Sequence, residues 1–313
     1  MNRRNFLQQF GTGTLLAGAG TFPLRALAVE ADILKLTILH TNDVHSRIEP
    51  FPMDGSRNQG LGGAARRAAL IQKIRGEEQH VLLLDSGDIF QGTPYFNFYG
   101  GELELKLMSQ MGYDAATIGN HDFDAGIDGL YKQLPNANFP LISSNYDFSN
   151  TIMNGKTLPY KIFKIEQIKV GVLAVGIELE GLVPKALYKE TQYLDPLTNA
   201  NRVAAHLKND EKCDYVICLS HLGYKYSDSK ISDIVLAQNS RNIDLILGGH
   251  THTFMDQPDL ISNQDGAPVL VNQAGWAGIM LGRLDIFFER NRKNRCESCQ
   301  NIFVSTRARK VNN

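Results

Sequence analysis

The hexapeptide from Gly119 to Asp124 gathers several reactive side chains in one short stretch. It contains the amide of Asn120, the imidazole of His121 and the carboxylates of Asp122 and Asp124. An imidazole beside a carboxylate can deliver a proton, and amide and carboxylate oxygens can hold a metal ion. What this stretch does therefore depends on which other side chains the fold brings to it.

Other segments offer side chains of the same kind directly after apolar runs that we predict to be buried strands. The Asp-x-His and His-x-His pairs would each point both side chains the same way in extended chain, so that each pair could grip one ion. A polar turn would look the same in any one segment, but five segments, including the one that contains Asn120, are hard to explain by accident. Sites in α/β folds form beyond the carboxyl ends of strands. We therefore expect these six side chains to meet at one edge: Asp43, His45, Asp88, His221, His250 and His252.

With Asn120, the set reaches seven candidate ligands, which is more than one ion needs. Two ions roughly 3.5–4 Å apart that share a carboxylate would use them all, and Asp88 is the candidate bridge. Imidazole, carboxylate and amide without thiolate suit Mn, Zn, Fe, Co or Ni. Two such ions would support in-line displacement at phosphorus. His121, which is not needed as a ligand, could then protonate the leaving alkoxide, with Asp124 orienting its ring.

The elements that must position these residues alternate between strands and helices. A glycine loop at Gly60, Gly62 and Gly63 precedes a predicted helix over residues 64–71, where tight packing is favoured over phosphate binding. Leu103, Leu107 and Met111 predict the core face of a second helix. A third helix is predicted over residues 202–208. Strands are predicted over residues 33–39, 81–84, 139–142, 160–165, 168–177, 215–219, 244–247, 269–271, 281–288 and 302–306, with 160–177 forming a hairpin in a second sheet.

The N-terminus reads as an export signal. Arg3 and Arg4 precede a weakly apolar, glycine-rich run, and Ala26-Leu27-Ala28 fits a cleavage site, so residues 1–28 are predicted to be a twin-arginine signal peptide. An accidental arginine pair on a general secretory signal is the alternative. The run is too short for a membrane span, so we expect a periplasmic protein without a stable membrane anchor. The net charge of −1 gives no basic field for nucleic acid.

The four cysteines fall into two groups. Cys213 and Cys218 flank an apolar run and are expected to be buried small hydrophobic residues. Cys296 and Cys299 form a C-x-x-C pair, for which we expect a disulfide at a hairpin tip or idle thiols, because no second pair completes a zinc site. Residues 291–313 are accordingly predicted to be a basic C-terminal hairpin or tail.

The motifs together resemble the calcineurin-like metallophosphoesterase superfamily and, within it, the catalytic domain of bacterial periplasmic 5′-nucleotidases. The segments that carry this resemblance run in the family's order and cover most of residues 33–288. They are LHTNDVHS (39–46), GGAARRAALI (62–71), DSGDIFQGTP (85–94), MGYDAATIGNHDFDAG (111–126), SHLG (220–223), GGHTH (248–252) and VNQAGWAGIMLGRLD (271–285). Asp122 stands where many nucleotidases have Glu, which is a departure at a position that is not a ligand.

The resemblance implies an α/β fold, a four-layer α-β-β-α sandwich, as a single catalytic domain over residues 29–290. It implies one metal ion on Asp43, His45 and His252, and a second on Asn120, His221 and His250, with Asp88 bridging the two ions. His121 and Asp124 would be the catalytic pair, and Asn120 and His121 would also contact the substrate. A small phosphorylated substrate, a nucleotide in the nucleotidase branch, would be the ligand.

Nucleotidases of this branch carry a C-terminal domain that supplies phosphate-binding arginines and an aromatic clamp for the base. About 25 residues follow Phe288, so we expect this chain to lack that domain. It would act either as a stand-alone phosphohydrolase or as the catalytic subunit of a split nucleotidase whose partner is a separate C-terminal domain protein. Hydrolysis of a sulfur–oxoanion ester and a non-catalytic metal-binding scaffold are the remaining alternatives.

Overall fold

A computed structural model describes residues 33–289 and 292–305, although the side chains of residues 292–298 and 300 lie outside this description. The predicted signal peptide also lies outside the described residues. The described strands are β1 (Ile33–Thr41), β2 (Val81–Asp85), β3 (Ala115–Ala116), β4 (Tyr146–Asp147), β5 (Tyr160–Ile165), β6 (Ile168–Gly176), β7 (Gln192–Tyr193), β8 (Tyr215–His221), β9 (Leu245–Leu247), β10 (Asp259–Ser262), β11 (Pro268–Asn272), β12 (Met280–Glu289) and β13 (Arg292–Phe303).

The described helices surround these strands. They are α1 (Ala64–Glu77), α2 (Pro94–Tyr99), α3 (Glu102–Met111), α4 (Gly126–Gln133), α5 (Lys185–Tyr188), α6 (Pro196–Asn209) and α7 (Asp233–Asn239). Short 3-10 turns span His121–Phe123 and Leu134–Asn136. No helix in this described part of the chain has the length and apolar character needed to cross a membrane.

Two mixed sheets form the centre of the molecule. One has five strands in the order β13-β12-β1-β2-β3, in which β1, β2 and β3 are parallel and β12 and β13 are antiparallel additions. The other has six strands in the order β10-β11-β9-β8-β6-β5, with a parallel centre of β11, β9, β8 and β6. The predicted β5–β6 hairpin lies at the edge of this second sheet.

Three apolar clusters lie between four layers. One cluster joins the five-stranded sheet to α1, α3 and α4, a second lies between the two sheets, and a third joins the six-stranded sheet to α6 and α7. Central strands are covered on both faces, which explains why they read as continuous apolar runs. Strand β8, for example, is buried along its whole length. The predicted four-layer α-β-β-α sandwich is confirmed.

Two local predictions differ from the structure. Residues 139–142 do not form a strand: Leu141 and Ile142 make isolated bridges to Ala116 and Leu158, because the chain only touches the sheet there. The core face of α3 is formed by Leu105, Met108 and Met111, whereas Leu103 and Leu107 are half-buried. Both faces of this helix carry apolar residues at helical spacing, so the pattern did not separate them.

The C-terminal part is more regular than expected. Strand β13 begins at Arg292, ten residues before the predicted strand, and it pairs with β12 with one register shift between Phe288 and Glu289. The backbone of Cys296 and Cys299 therefore lies within this strand, opposite Phe287 and Leu284, and away from the hairpin tip. The side chain of Cys296 lies outside the described residues, so the disulfide remains a prediction. Cys213 and Cys218 are buried in the third apolar cluster, as expected.

The glycine loop before α1 packs tightly against other backbone. A Cβ on Gly62, which has φ +73°, would lie 3.2 Å from the carbonyl oxygen of Ala277, and one on Gly63 would lie 3.1 Å from Pro50. These contacts agree with the packing interpretation of the glycines, because other protein atoms occupy the space beside the loop and leave little room for phosphate.

Candidate metal centre

Two compact groups of ligand atoms lie at the carboxyl ends of the parallel strands. Asp43, His45 and His252 form the first group, here called cluster one; Asp88, His221 and His250 form the second, cluster two. Within each cluster the ligand atoms all lie within 4.8 Å of one another. Four loops that are distant in sequence converge here because each follows a strand of one of the two central sheets.

Asp88 connects the two clusters. Its Oδ2 atom lies 3.1 Å from Nε2 of His221 in cluster two and 3.8 Å from Nε2 of His45 in cluster one. Its other oxygen, Oδ1, accepts a hydrogen bond of 2.8 Å from the backbone N–H of His121. One carboxylate oxygen therefore faces both clusters, which is the position predicted for a bridging ligand.

Asn120 extends cluster two. Its Oδ1 atom lies 2.9 Å from Nδ1 of His250, so the amide oxygen and the imidazole nitrogen face each other. In this way the structure brings together all seven side chains that the sequence predicts as metal ligands.

Most of these ligands sit on left-handed backbone. Positive φ angles are rare for residues other than glycine and concentrate at functional sites. Five of the seven have them: Asp43 at 51°, His45 at 50°, Asp88 at 56°, His250 at 73° and His252 at 53°. The loops are therefore bent into a shape that ordinary packing does not favour, and that shape aims the side chains at the clusters.

The imidazole rings are oriented by backbone carbonyl groups. Nδ1 of His221 donates a hydrogen bond of 2.7 Å to the carbonyl oxygen of Ser86, and Nδ1 of His45 lies 3.3 Å from that of Phe90. Each contact places a proton on Nδ1 and turns Nε2 toward its cluster, where the neutral ring would offer the lone pair of that nitrogen to a cation. Second contacts of this kind are the usual way in which proteins fix metal-ligating histidines.

The protein atoms alone leave these nitrogens poorly satisfied. Nε2 of His221 is buried and has no hydrogen-bond partner of suitable geometry among the described residues, although Asp88 is close. Nε2 of His45 lies 3.0 Å from Nε2 of His252, and with the proton of each ring on Nδ1 the two lone pairs would face each other. A cation in each cluster would resolve both conflicts, so the residues present fit a two-metal centre.

Burial also favours the neutral, metal-binding form of two histidines. It lowers the pKa of His250 to about 4, with help from the nearby charge of His221. Burial likewise lowers the pKa of His45, although Asp88 and Asp43 act in the opposite sense. Since a metal ion needs the neutral imidazole, these shifts keep both rings ready to bind one near neutral pH.

His121 and Asp124 lie beside the clusters as a hydrogen-bonded pair. Nδ1 of His121 is 2.9 Å from Oδ2 of Asp124, and their side chains are 39% and 28% exposed. The His121 ring meets the His45 ring edge to face at 5.3 Å. Burial alone would lower the pKa of His121, but the charge of Asp88 and the hydrogen bond with Asp124 more than offset it, so the pKa is raised. The arrangement therefore favours the protonated form of this imidazole, at a partly exposed side of the centre.

Asp122 has a structural role that the sequence did not reveal. Its buried carboxylate accepts hydrogen bonds of 2.8–3.0 Å from four backbone N–H groups, those of Asp88, Ile89, Phe90 and Gly119. It thereby ties the loop that carries Asp88 to the loop that carries Asn120 and His121. The only signal in the sequence was an acid next to His121.

Asp233 and Gln273 hold the loop of the two histidines in a similar way. Nε2 of Gln273 donates to Oδ2 of Asp233 at 2.8 Å and to the carbonyl oxygen of Gly249 at 2.9 Å. Its Oε1 accepts from the backbone N–H of Thr253 at 3.1 Å. Burial raises the pKa of Asp233 to about 7, in spite of its hydrogen bonds from Ser220 and Gln273. Neither residue was singled out in the sequence, because both lie far along the chain from the ligands they support.

Comparison with known proteins agrees with this geometry. Residues 36–254 match the family model of the calcineurin-like phosphoesterases. The chain is 36% identical to snake venom 5′-nucleotidase of Gloydius brevicauda over 88% of its own length and 49% of that protein, and 36% identical to 5′-nucleotidase of Homo sapiens over 82% and 47%. The chain thus spans about half the length of these curated relatives.

A solved structure shows the same architecture. The 5′-nucleotidase precursor from Thermus thermophilus superimposes with a TM-score of 0.77 at 30% identity, over 86% of this chain and 54% of that one. The family match covers the five ligand-bearing segments, and the described fold and the two ligand clusters agree with it. The chain belongs to the calcineurin-like phosphoesterase family.

Proposed function

We propose that the protein is a two-metal phosphomonoesterase of the 5′-nucleotidase type that acts in the periplasm. The observation that carries this proposal is the position of Asp88, whose carboxylate faces both ligand clusters while the His121–Asp124 pair lies beside them. Together these features provide places for two cations and a proton donor, which are the parts that hydrolysis of a phosphoester requires.

Each residue has a distinct role in this proposal. Asp43, His45 and His252 would hold one divalent ion, and Asn120, His221 and His250 the other, with Asp88 between them. Two bound ions supply charge neutralisation at phosphorus and a water of lowered pKa. Asp124 accepts a hydrogen bond from Nδ1–H of His121 and so directs Nε2–H of the protonated ring toward the leaving oxygen, to which Nε2 gives its proton. Asn120 and His121 also contact the phosphoryl group.

The nucleotide is proposed as substrate from the relatives. The similar proteins are named as 5′-nucleotidases, and 5′-nucleotidase precursor of Thermus thermophilus shares the fold at 30% identity. Mn, Zn, Fe, Co and Ni all suit the imidazole, carboxylate and amide ligands. Export rests on the twin arginines Arg3 and Arg4 and on the small residues before Val29.

The test uses the purified mature protein. Metal analysis should find close to two divalent ions per chain, and adenosine 5′-monophosphate should be hydrolysed in a reaction that stops after chelation and returns with added metal. A protein that binds close to two ions and cleaves no phosphomonoester would contradict the proposal. Fractionation of cells that make the full chain would test the periplasmic location, and an unprocessed cytoplasmic product would overturn it.

A separate C-terminal nucleotidase domain is the proposed partner. Its support is that the matched relatives extend over about twice the length that the chain covers. Addition of such a domain should raise the activity toward nucleotides above that toward simple monoesters. Equal activity with and without it would remove the partner from the proposal and leave the hydrolase in place.

A further inference from the structure

A cavity of 430 Å³ lies beside the metal centre and is not explained by it. Three aromatic side chains, Phe254, Trp276 and Phe303, line it together with the polar side chains of Arg57, Asn58 and Asp256. None of these six residues is a ligand of either cluster. The volume lies within the range of ~300–1,000 Å³ that is usual for small-molecule sites.

Trp276 joins this cavity to the metal centre. Its indole ring stacks on the imidazole of His252, with ring centroids 5.6 Å apart and an angle of 7° between the planes. Its remaining aromatic contact is with the edge of Phe51, at 5.8 Å and 72°. One wall of the cavity is therefore a ring that packs on a ligand of cluster one, and a molecule against that ring lies one aromatic layer from His252.

Phe254 presents a fixed aromatic surface at the same place. Its side chain is 44% exposed, yet its ring lies directly over Gly275, where an added Cβ would meet it at 2.3 Å. Since Gly275 has φ +72° and no side chain, the ring can rest against the backbone. An aromatic surface that is already held in place loses little conformational entropy when a flat ligand stacks on it.

The polar side chains narrow the class of ligand. Aromatic faces favour a planar π system, while Arg57 and Asn58 offer hydrogen-bond donors and Asp256 and Asn58 offer acceptors. A heterocyclic base has both donors and acceptors on its edge, whereas a simple aryl group has neither. Arg57 and Asp256 carry opposite charges, so the cavity offers no net positive charge to a phosphate, and the phosphoryl group is assigned to the metal centre.

We propose that this cavity binds the heterocyclic base of a nucleoside phosphate whose phosphoryl group lies at the two clusters. This inference deepens the proposed function and rests on it for the placement of the phosphoryl group. It assigns base recognition to residues of this chain, and it makes Phe254 a specificity-determining residue that takes no part in metal binding or proton transfer.

A binding experiment tests the cavity without any reaction. The chain contains one tryptophan, Trp276, so fluorescence excited selectively at tryptophan, and not at the 11 tyrosines, reports on this wall alone. Adenosine, which has the base and no phosphate, should quench this fluorescence at saturation, and equilibrium dialysis should give the same dissociation constant. Phe254→Ala should weaken binding roughly tenfold, the effect of losing one base–aromatic contact. Phe287→Ala is the matched control, because Phe287 is a half-buried surface phenylalanine on the far part of β12.

A kinetic experiment tests the link to catalysis. Adenosine 5′-monophosphate and ribose 5-phosphate differ only in the base, so the ratio of their kcat/KM values isolates its contribution. Phe254→Ala should lower kcat/KM roughly tenfold for the nucleotide through KM and leave the sugar phosphate unchanged. Equal kcat/KM values in the wild type, or an equal fall for both substrates in the variant, would overturn the inference.

The two experiments also separate the inference from the proposed function. If neither phosphate ester is hydrolysed by the metal-loaded protein, the proposed function fails, whereas saturable adenosine binding that needs Phe254 would still support the base site. If both esters are hydrolysed equally and adenosine does not bind, the base site is wrong and the phosphomonoesterase stands.

Discussion

The acidic residues at the two ends of strand β1 have different kinds of partners. At its start, Lys35 contacts Glu78 at 2.7 Å and Asp285 at 3.1 Å, and Arg283 contacts the same two acids. Beyond its end, Asp43 and Asp88 are buried among histidines, and no ion pair of the described residues joins either of them to lysine or arginine. At the first end, the charges of two acids and two basic residues balance within the protein. At the second end, the buried carboxylates are placed to bind metal ions.

This difference separates residues that stabilise the fold from those that serve the reaction. The start of β1 neutralises its acids with protein cations on neighbouring strands. At the other end a lysine or arginine would have neutralised the carboxylates equally well, yet the described residues offer histidine and asparagine instead. Sites that bind cations keep their carboxylates unpaired, and the cost is a locally less stable fold.

The largest effect is expected from Asp88→Asn. The change removes the carboxylate that both clusters share, so metal content should fall from close to two ions to below one, and turnover should fall about 10⁴-fold. Asp43→Asn is the comparison, because it removes a carboxylate from cluster one only and should leave about one ion. Metal analysis and initial rates measure both variants. Two ions retained in Asp88→Asn would show that Asp88 is not the shared ligand.

His121→Ala should lower turnover about 10³-fold, because it removes the proposed proton donor. Metal content should not change, since His121 belongs to neither cluster. Asp124→Asn should have a smaller effect on turnover, because the imidazole remains but loses the carboxylate that orients it. A loss of metal in His121→Ala equal to that in Asp88→Asn would instead place His121 among the ligands.

Asp122→Asn should reduce activity by roughly 10–100-fold, the range expected for a group that orients metal ligands. The amide nitrogen of asparagine would face backbone N–H groups that now donate to a carboxylate oxygen. Asp122→Glu keeps the carboxylate and should recover most of the activity. Steady-state rates and metal titration measure these changes, and wild-type activity in Asp122→Asn would show that the two loops keep their shape without this carboxylate.

The smallest effect is expected at the other end of β1. Glu78→Gln should lower the free energy of unfolding by ~0.5–1 kcal/mol at neutral pH and leave activity unchanged. The hydrogen bond from Lys35 lowers the pKa of Glu78 below its usual 4.5, so its stabilisation is present above that value. It should disappear as the pH falls through the lowered folded-state pKa.

Urea unfolding of wild type and variant across acid pH measures this difference. Glu77→Gln is the matched control. The side chain of Glu77 is 52% exposed and its ion pair with Lys73 is long, at 3.9 Å, so the change should alter stability little. A loss of activity in Glu78→Gln would contradict the conclusion that the start of β1 serves stability and the other end serves the reaction.

The metal ligands could be predicted because each stands directly after an apolar strand. Parallel strands in one sheet end on the same side, so Asp43 and Asp88, which follow neighbouring strands, were bound to come near each other, and the second sheet brings His221 to the same edge. The two-sheet fold was predictable for a similar reason, since its central strands are buried on both faces and read as continuous apolar runs.

The supporting residues could not be predicted in this way. Asp122 binds backbone groups 32–34 residues away, and Gln273 reaches a loop about 20 residues away, so both roles depend on the folded path of the chain. The prediction of the core face of α3 was wrong for a related reason. Glu104 is buried because Ser46 donates a hydrogen bond to it, and no periodicity of the helix encodes that partner.

The left-handed backbone of five ligands restricts how this site can drift in evolution. Positive φ is tolerated best by glycine, asparagine, aspartate and histidine and is costly for β-branched residues. Apart from glycine, these are also residues that can bind metal ions. A substitution at Asp43 or His250 must therefore meet two requirements: the new residue has to tolerate a positive φ angle, and it has to bind a metal ion. A descendant that had abandoned catalysis would keep a similar set of residues for steric reasons, so intact ligand positions in a distant relative argue for the loop shape before they argue for activity.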